Sequence, residues 1–210
     1  MRNQNPQQKR VKNLSLISEG KNLEDVPSPK LEDVKDKEKP LINILLSYFK
    51  NIKFPTRNPS KDKSRKNVII EEATDDIENV VIDAFAIGKV RAYNRKELAN
   101  SVNNKKFPDM LLLLDRLIKL HNPRFTYTTI QINKGVQTTY HRDKGNIGLS
   151  YCIGLGDFVG GGVIVRFADG VEKLYDNHNK WLYYDGHSLE HASNKVKKGL
   201  RYAVIYFTHF

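Results

Sequence analysis

The sequence has little cysteine and no long apolar run. A single thiol, Cys152, cannot form an internal disulfide, which favours a reducing, intracellular compartment. Cys152 stands in an apolar stretch, and we interpret it as a buried, unreactive thiol. No apolar run approaches the ~18 residues that a membrane-spanning helix requires, and the N-terminus lacks the apolar segment of a secretory signal. The sequence therefore predicts a soluble intracellular protein without membrane contact, and a nuclear one if its source is a eukaryote.

Acidic residues are too few to balance the basic ones. The chain has 35 Lys and Arg against 24 Asp and Glu, a net charge of +11. Residues 1–65 hold 15 of these basic residues against 8 acidic ones, so most of the excess lies in the N-terminal part. Such a charge suits a polyanionic partner such as nucleic acid, although it also serves plain solubility.

Composition divides the chain into two parts near residue 66. Residues 1–40 are polar with few aromatic side chains, which is typical of a mobile tail. The run Leu41–Ile52 is apolar enough for a short helix, and a polar basic linker follows it. We therefore predict a basic, largely disordered tail over residues 1–65 with a helix near 41–52, and a folded domain over residues 66–210.

The residue pattern of the folded part changes from helical to strand-like along the chain. Residues 95–104 suit a short helix, and residues 108–123 predict a longer one, because Pro108 fits a first helical turn and Pro123 ends it. From residue 124 onward, short β-branched and aromatic runs are punctuated by glycine. Several short strands after the helices indicate an α+β protein with a sandwich or barrel-like β core.

The stretch TTYHRDKGNIGLS (138–150) contains a candidate metal site. His141 and Asp143 are two residues apart on a predicted strand, so both side chains leave the same face. A histidine and a carboxylate on one face are two of the three ligands of a facial iron(II) triad. The third ligand should be a distant histidine, and both His187 and His191 follow the predicted strand KWLYYD. Arg201 begins the last apolar strand, where its guanidinium would bind a carboxylate of a dicarboxylate cosubstrate.

This ordered set resembles the double-stranded β-helix dioxygenases that use iron(II) and 2-oxoglutarate. The resemblance covers roughly residues 120–210 and includes GLGDFVGGGVIV and GLRYAVIYF. It implies a jelly-roll-like double-stranded β-helix core with flanking N-terminal helices. By the family's His-to-Arg spacing, it also implies iron(II) bound by His141, Asp143 and His191, and 2-oxoglutarate anchored by Arg201. O2 is then the second cosubstrate, and ascorbate an auxiliary reductant.

A narrower resemblance lies in HRDKGN (141–146), which is similar to the metal-binding segment of the TET/JBP branch of these enzymes. That branch oxidises the methyl group of 5-methylcytosine or thymine in DNA. The resemblance implies that Asn146 contacts a flipped base, that Phe207 stacks on it, and that His209 hydrogen-bonds to it. Each residue also has a structural reading, as a turn, a core residue and a chain end respectively. The expected activity is oxidation of 5-methylcytosine in DNA to hydroxymethylcytosine by a monomer, with further oxidation left open.

The chain departs from the family at one position of the cosubstrate clamp. Many of these dioxygenases carry a hydroxyl residue two places after the arginine, where this chain has Ala203. Either Tyr127 or Tyr151 supplies the hydroxyl, or the clamp is weaker, and Asn133 is a further candidate contact to the cosubstrate. Two alternatives stay open: the same chemistry on thymine, RNA, a protein side chain or a small molecule, and a non-catalytic nucleic-acid-binding module.

Overall fold

The computed structural model describes residues 26–59, 61, 68, 81–91 and 97–209. Within these ranges the helices are α1 (Lys39–Asn51), α2 (Asn103–Lys106) and α3 (Pro108–His121), and a 3-10 turn (Asp36–Glu38) precedes α1. The strands are β1 (Lys30–Asp33), β2 (Thr56–Arg57), β3 (Ile82–Arg91), β4 (Leu98–Asn100), β5 (Thr129–Lys134), β6 (Asn146–Leu155), β7 (Phe158–Gly160), β8 (Val163–Arg166), β9 (Glu172–Tyr175), β10 (Lys180–Tyr184), β11 (Glu190–Ser193), β12 (Val196–Gly199) and β13 (Tyr202–His209).

The strands form a large sheet and two small ones, in which neighbouring strands are antiparallel. The main sheet has the order β1-β10-β6-β13-β5-β3-β2, and β4 pairs with the outer part of β3. A second sheet has the order β11-β8-β9, and β12 pairs with β7. Cys152 and Leu182 of the main sheet pack with Val163 and Val165 of the second sheet. The two sheets therefore face each other across an apolar interior.

Two helices cover the opposite face of the main sheet. Each begins with a proline in its first turn and has an apolar stripe, which α1 presents through Leu45 and Phe49 and α3 through Met110 and Leu114. These residues pack in one cluster with the outward-facing side chains of β13, among them Tyr206. No helix in the described ranges has both the length and the apolar character that crossing a bilayer requires.

The structure differs from the predicted mobile tail over part of residues 1–40. Strand β1 pairs with β10, and Glu38 is completely buried. Its carboxylate binds His121 Nδ1 at 3.1 Å and accepts a hydrogen bond from Trp181 Nε1 at 2.9 Å. The charged composition suggested a solvated segment, but partners far along the chain satisfy the buried charge. Residues 1–25, where the rest of the predicted tail falls, lie outside the described residues.

The short helix predicted over residues 95–104 is wrong in most of its length. Within the described part of that range, residues 97–104, Leu98–Asn100 form β4, and α2 overlaps the predicted helix only at Asn103 and Asn104. Ser101 Oγ and Asn103 Nδ2 both donate hydrogen bonds to the carbonyl of Ala86 on β3. These side-chain bonds tie the segment to the sheet edge, which the helical propensity of the sequence does not reflect.

Candidate metal centre

Three side chains converge at one end of the space between the sheets. Ligand atoms of His141, Asp143 and His191 all lie within 4.8 Å of one another. The Asp143 carboxylate lies between the imidazoles, with Oδ1 3.8 Å from His141 Nε2 and Oδ2 3.7 Å from His191 Nε2. Two imidazoles and one carboxylate are the donor set of the facial iron(II) triad, so these residues fit iron(II).

Backbone hydrogen bonds hold the two histidines together across 50 residues of chain. His141 and His191 form an antiparallel bridge in which each N–H donates to the other's carbonyl at 2.9 Å. The N–H of Asp143 donates to the carbonyl of Gly186 at 2.8 Å. The main chain therefore fixes all three ligands relative to one another.

The imidazole orientations are also fixed. His141 Nδ1 lies 2.8 Å from the carbonyl of Thr139, and His191 Nδ1 lies 3.0 Å from that of Leu189. Carbonyls only accept, so each Nδ1 carries the proton and each Nε2 keeps its lone pair for a metal. Burial lowers the pKa of His191 against the opposing effect of Asp143, which favours the neutral, metal-binding form.

A tight loop between β10 and β11 brings His191 into place. Asp185 accepts hydrogen bonds from the N–H groups of His187 and Ser188, both at 3.0 Å, and from Ser188 Oγ at 2.9 Å. His187 and His191 were both candidates for the third ligand, and only His191 belongs to the cluster. His187 instead forms part of the loop that precedes β11.

Gly186 in the same loop leaves room for the ligands. A Cβ atom at this position would lie 3.1 Å from Asp143 Oδ2 and 3.4 Å from His191 Cε1. The first distance is tighter than ordinary van der Waals contact, whereas the second is at its lower limit, so a side chain here would crowd the Asp143 carboxylate. Glycine at this position leaves that carboxylate unobstructed.

Arg201 lies deeper in the interior and is 5 % exposed. Its Nη1 donates to the carbonyl of Gly162 at 3.1 Å and its Nη2 to that of Val136 at 2.9 Å. No carboxylate of the described residues forms an ion pair with it, and burial lowers the pKa of the guanidinium. A buried cation held by neutral carbonyls requires an anion, so the pocket fits a carboxylate of 2-oxoglutarate.

Alternation along β13 decides which residues face this pocket. Tyr202 and Tyr206 face the helices, so the intervening residues, including Ala203, face the second sheet. Asn133 is the register partner of Ala203 on β5 and shares its face. Asn133 Oδ1 accepts a hydrogen bond from Gln131 Nε2 at 2.8 Å. Asn133 therefore lies beside Ala203, the position that lacks a hydroxyl, on the same face of the sheet.

The structure does not bring Tyr151 to the pocket, which corrects its expected role as a cosubstrate contact. Tyr151 lies on the helix-covered face of β6, where its hydroxyl accepts a hydrogen bond from Asn122 at 3.2 Å and its ring stacks on Tyr183. Tyr127, the other candidate, donates its hydroxyl to Asp115 of α3 at 2.7 Å. Sequence alone does not show which face of β6 points inward, and Tyr151 has the outward parity.

Of the three residues expected to contact a substrate base, Asn146 contacts a metal ligand, His209 pairs with Asn146, and Phe207 contacts His209. Asn146 is buried, and its Nδ2 donates to Asp143 Oδ2 at 3.3 Å. His209 is the register partner of Asn146, and its Nδ1 lies 3.0 Å from the carbonyl of Gly145. The ring of Phe207 meets that of His209 edge to face, with centroids 4.9 Å apart.

Three residues of the interior were missed by the sequence reasoning. The ring of Tyr184 packs edge-on against that of His191, with centroids 5.1 Å apart. Ser150 on β6 is the register partner of Tyr184, and its buried Oγ forms no hydrogen bond with any described residue. Asn177, before β10, is also buried. Ser150 has the same parity as Cys152 on β6, but the sequence does not show that this face points inward, nor that Tyr184 pairs with Ser150. A loop residue such as Asn177 gives no periodic signal.

Comparison with known proteins finds similarity in structure alone. No family model and no curated protein sequence matches the chain. A 2OG-Fe(II) oxygenase-family oxidoreductase from Burkholderia pseudomallei aligns with a TM-score of 0.51 at 15% identity, over 99% of this chain and 92% of the other. NgTET1, solved in complex with 5mC DNA, aligns with a TM-score of 0.53 at 12% identity over 86% and 72%, and OsALKBH1 with 0.50 at 12% over 87% and 97%. The predicted α+β double-stranded β-helix is therefore confirmed, and the chain has the fold of the 2-oxoglutarate and iron(II) oxygenases.

Proposed function

We propose that the protein is an iron(II)- and 2-oxoglutarate-dependent dioxygenase. The observation that carries the proposal is the cluster of His141, Asp143 and His191, in which the unprotonated nitrogen of each imidazole lies within 4 Å of the carboxylate. When bound there, iron(II) supplies the oxidising chemistry, in which O2 and 2-oxoglutarate are consumed, succinate and CO2 form, and a substrate C–H bond is hydroxylated.

The remaining residues of the interior position the cosubstrate. Arg201 supplies the positive charge for the carboxylate that is remote from the metal. Leu182 and Ile205 line the same interior and exclude water from it, which strengthens every charge interaction inside. The guanidinium and the three ligands thus define the two ends of a pocket for a dicarboxylate.

The proposed substrate is 5-methylcytosine in DNA. A base must leave the duplex to reach an interior site, and it then needs an aromatic face and polar groups for its pairing edge. Phe207 offers the face, while Asn146, which contacts Asp143, and His209, which contacts Phe207, offer the polar groups. NgTET1, which shares the fold, was solved with 5mC DNA.

The tautomer of His209 favours cytosine over thymine as the bound base. Nδ1 donates to the carbonyl of Gly145, so Nε2 of the neutral ring is a hydrogen-bond acceptor. The exocyclic amine of cytosine is a donor at that edge, whereas the corresponding oxygen of thymine is an acceptor. His209 would therefore bind the first base and repel the second.

Positive charge next to the site suits a nucleic-acid backbone. Arg142 and Lys144 flank Asp143 in the chain, and Lys144 is exposed. Cations at this position would contact the phosphates on either side of a flipped nucleotide. We accordingly propose a monomer that acts on DNA, with phosphate contacts from this segment.

The proposal is tested by nucleoside mass spectrometry. The protein is incubated with DNA containing 5-methylcytosine, iron(II), 2-oxoglutarate and ascorbate, alongside Asp143→Ala. We expect 5-hydroxymethylcytosine or higher oxidation products with the parent protein and none with the variant. Succinate that depends on Asp143 without any oxidised cytosine would keep the oxygenase and reject the cytosine assignment, and thymine, RNA, proteins and small molecules would be tested next.

A matched variant separates substrate contacts from metal chemistry. His209→Ala leaves the three ligands and Arg201 intact, so slow succinate formation without substrate should persist while cytosine oxidation falls at least about tenfold. Unchanged cytosine oxidation would reject the base-reading role of His209. If the parent protein binds neither iron(II) nor 2-oxoglutarate but does bind DNA, the non-catalytic nucleic-acid-binding module replaces the enzyme.

A further inference from the structure

The side chain of Asn177 is buried with half of its hydrogen bonding unsatisfied. It is 2 % exposed in the loop between β9 and β10. Its Nδ2 lies 3.3 Å from Cys152 Sγ, while its Oδ1 is buried and accepts no hydrogen bond from any described residue. Buried amide oxygens in folded proteins are nearly always bonded, so this orphan atom points to a missing partner.

The state of Cys152 shows which way the amide should face. Burial raises the pKa of the Cys152 thiol to about 12, so the sulfur keeps its proton and acts as an S–H donor. The S–H donor is best matched by the amide oxygen of Asn177. The two orientations of an amide are nearly isosteric, so the hydrogen bonds decide which of them is correct. Turning the Asn177 amide by 180° gives the thiol its acceptor and directs the two Nδ2 hydrogens into the space now faced by Oδ1.

The residues that surround that space also adjoin Arg201. The Asn177 amide lies over Gly154 of β6, whose Cβ would come within 3.4 Å of Oδ1, and Gly154 is the register partner of Ala203. The carbonyl of Gly162 accepts a hydrogen bond from Arg201 Nη1. A Cβ at Gly162 would in turn contact the backbone at residues 175 and 176, which directly precede Asn177. The amide and the guanidinium therefore border the same interior region.

The Arg201 guanidinium and the Asn177 amide would both bind the same kind of ligand. Arg201 is a buried cation without a described carboxylate partner, and the turned Asn177 amide is a buried donor without an acceptor. A carboxylate satisfies both, because its two oxygens accept several hydrogen bonds. Ala203 supplies no donor to such a group.

We propose that Asn177 donates a hydrogen bond to the metal-remote carboxylate of 2-oxoglutarate and so completes the clamp that Arg201 begins. The assignment rests on the proposed oxygenase function, because it presupposes that 2-oxoglutarate occupies the pocket. Asn177 is a positioning residue in this scheme, since it holds the cosubstrate and takes no part in bond making or breaking.

The test is calorimetric binding to the Mn(II)-loaded full-length protein, without turnover. Two ligands are compared: 2-oxoglutarate, and 2-oxopentanoate, which has the same 2-oxo acid end but no remote carboxylate. Asn177→Ala should weaken 2-oxoglutarate binding about tenfold or more and leave 2-oxopentanoate and Mn(II) binding unchanged. Asn177→Asp should bind 2-oxoglutarate more weakly still, because it places a carboxylate against a carboxylate. Asn51→Ala, an exposed residue of α1, is the control and should match the parent in every titration.

The outcomes separate the clamp from the enzyme. Equal affinity of the parent and Asn177→Ala for 2-oxoglutarate overturns the role of Asn177 but leaves the proposed oxygenase function standing. An equal loss for both ligands also overturns it, because the residue would then act through the fold and not through the remote carboxylate. A parent protein that binds Mn(II) but not 2-oxoglutarate overturns the proposed function and the clamp together.

Discussion

Replacing Gly186 by alanine tests how narrowly the metal ligands are held. The new Cβ would stand 3.1 Å from Asp143 Oδ2 and 3.4 Å from His191 Cε1. A carbon–oxygen contact of that length must relax by a few tenths of an ångström, which exceeds the tolerance of about 0.2 Å in metal–ligand distances. Gly186 does not have a positive φ, so alanine itself introduces no backbone strain.

We expect Gly186→Ala to bind iron(II) more weakly while the protein remains folded. Disturbing the groups that orient metal ligands typically costs about 10–100-fold in affinity, or roughly 1.4–2.7 kcal/mol. The assay is an anaerobic titration with iron(II), monitored by calorimetry. The melting temperature of each protein, measured in the presence of a chelator, checks that the variant is folded. Gly145→Ala is the matched control: its Cβ would contact the His209 ring at 3.3 Å and no metal ligand, so iron affinity should be kept. Parent-like iron affinity in Gly186→Ala would refute the reasoning.

Three further perturbations address the pocket, the loop and the thiol. Arg201→Met should weaken 2-oxoglutarate binding by about 100-fold, roughly 3 kcal/mol, because it leaves a carboxylate unpaired in a buried site, and calorimetry on the Mn(II) form measures it. Asp185→Ala removes the acceptor of three hydrogen bonds in the loop before β11 and should cost about 3 kcal/mol, seen as a melting temperature lower by roughly 6–12 °C. Cys152, whose pKa burial raises to about 12, is protonated at pH 8 and should react with thiolate-specific reagents only after unfolding, whereas rapid labelling of the native protein would contradict its burial.

The sequence predicted well those features that depend on local pattern. Pro108 and the apolar stripe after it predicted α3 within two residues at its C-terminal end. The alternation predicted over the last strand holds from Tyr202 to Tyr206, which alternate between buried and half-buried side chains, because successive residues of a strand point to opposite faces. His141 and Asp143 do belong to one cluster, but the strand predicted to carry them is absent: His141 forms an isolated bridge to His191, and Asp143 lies in the turn that follows.

Features that depend on distant partners could not be predicted in this way. Glu38 stands in a charged segment and became buried only because His121 and Trp181 receive its carboxylate. The inward face of β6 depends on which sheet covers which side, so Tyr151 was assigned to the wrong face. Asn177 lies in a loop, where no periodicity connects it to Cys152.

The reciprocal backbone bridge between His141 and His191 has a consequence for which metal the protein carries. Main-chain groups join the two histidines and set both tautomers, so the position of the ligand nitrogens depends on the backbone and not on which ion binds. A preformed set of two imidazoles and a carboxylate binds first-row divalent ions in their usual order of stability, in which copper and zinc exceed iron. Supply in the cell, and not selection by the protein, then determines occupancy. Protein purified from zinc-rich medium should carry zinc, remain inactive, and regain activity after chelation and reloading with iron(II).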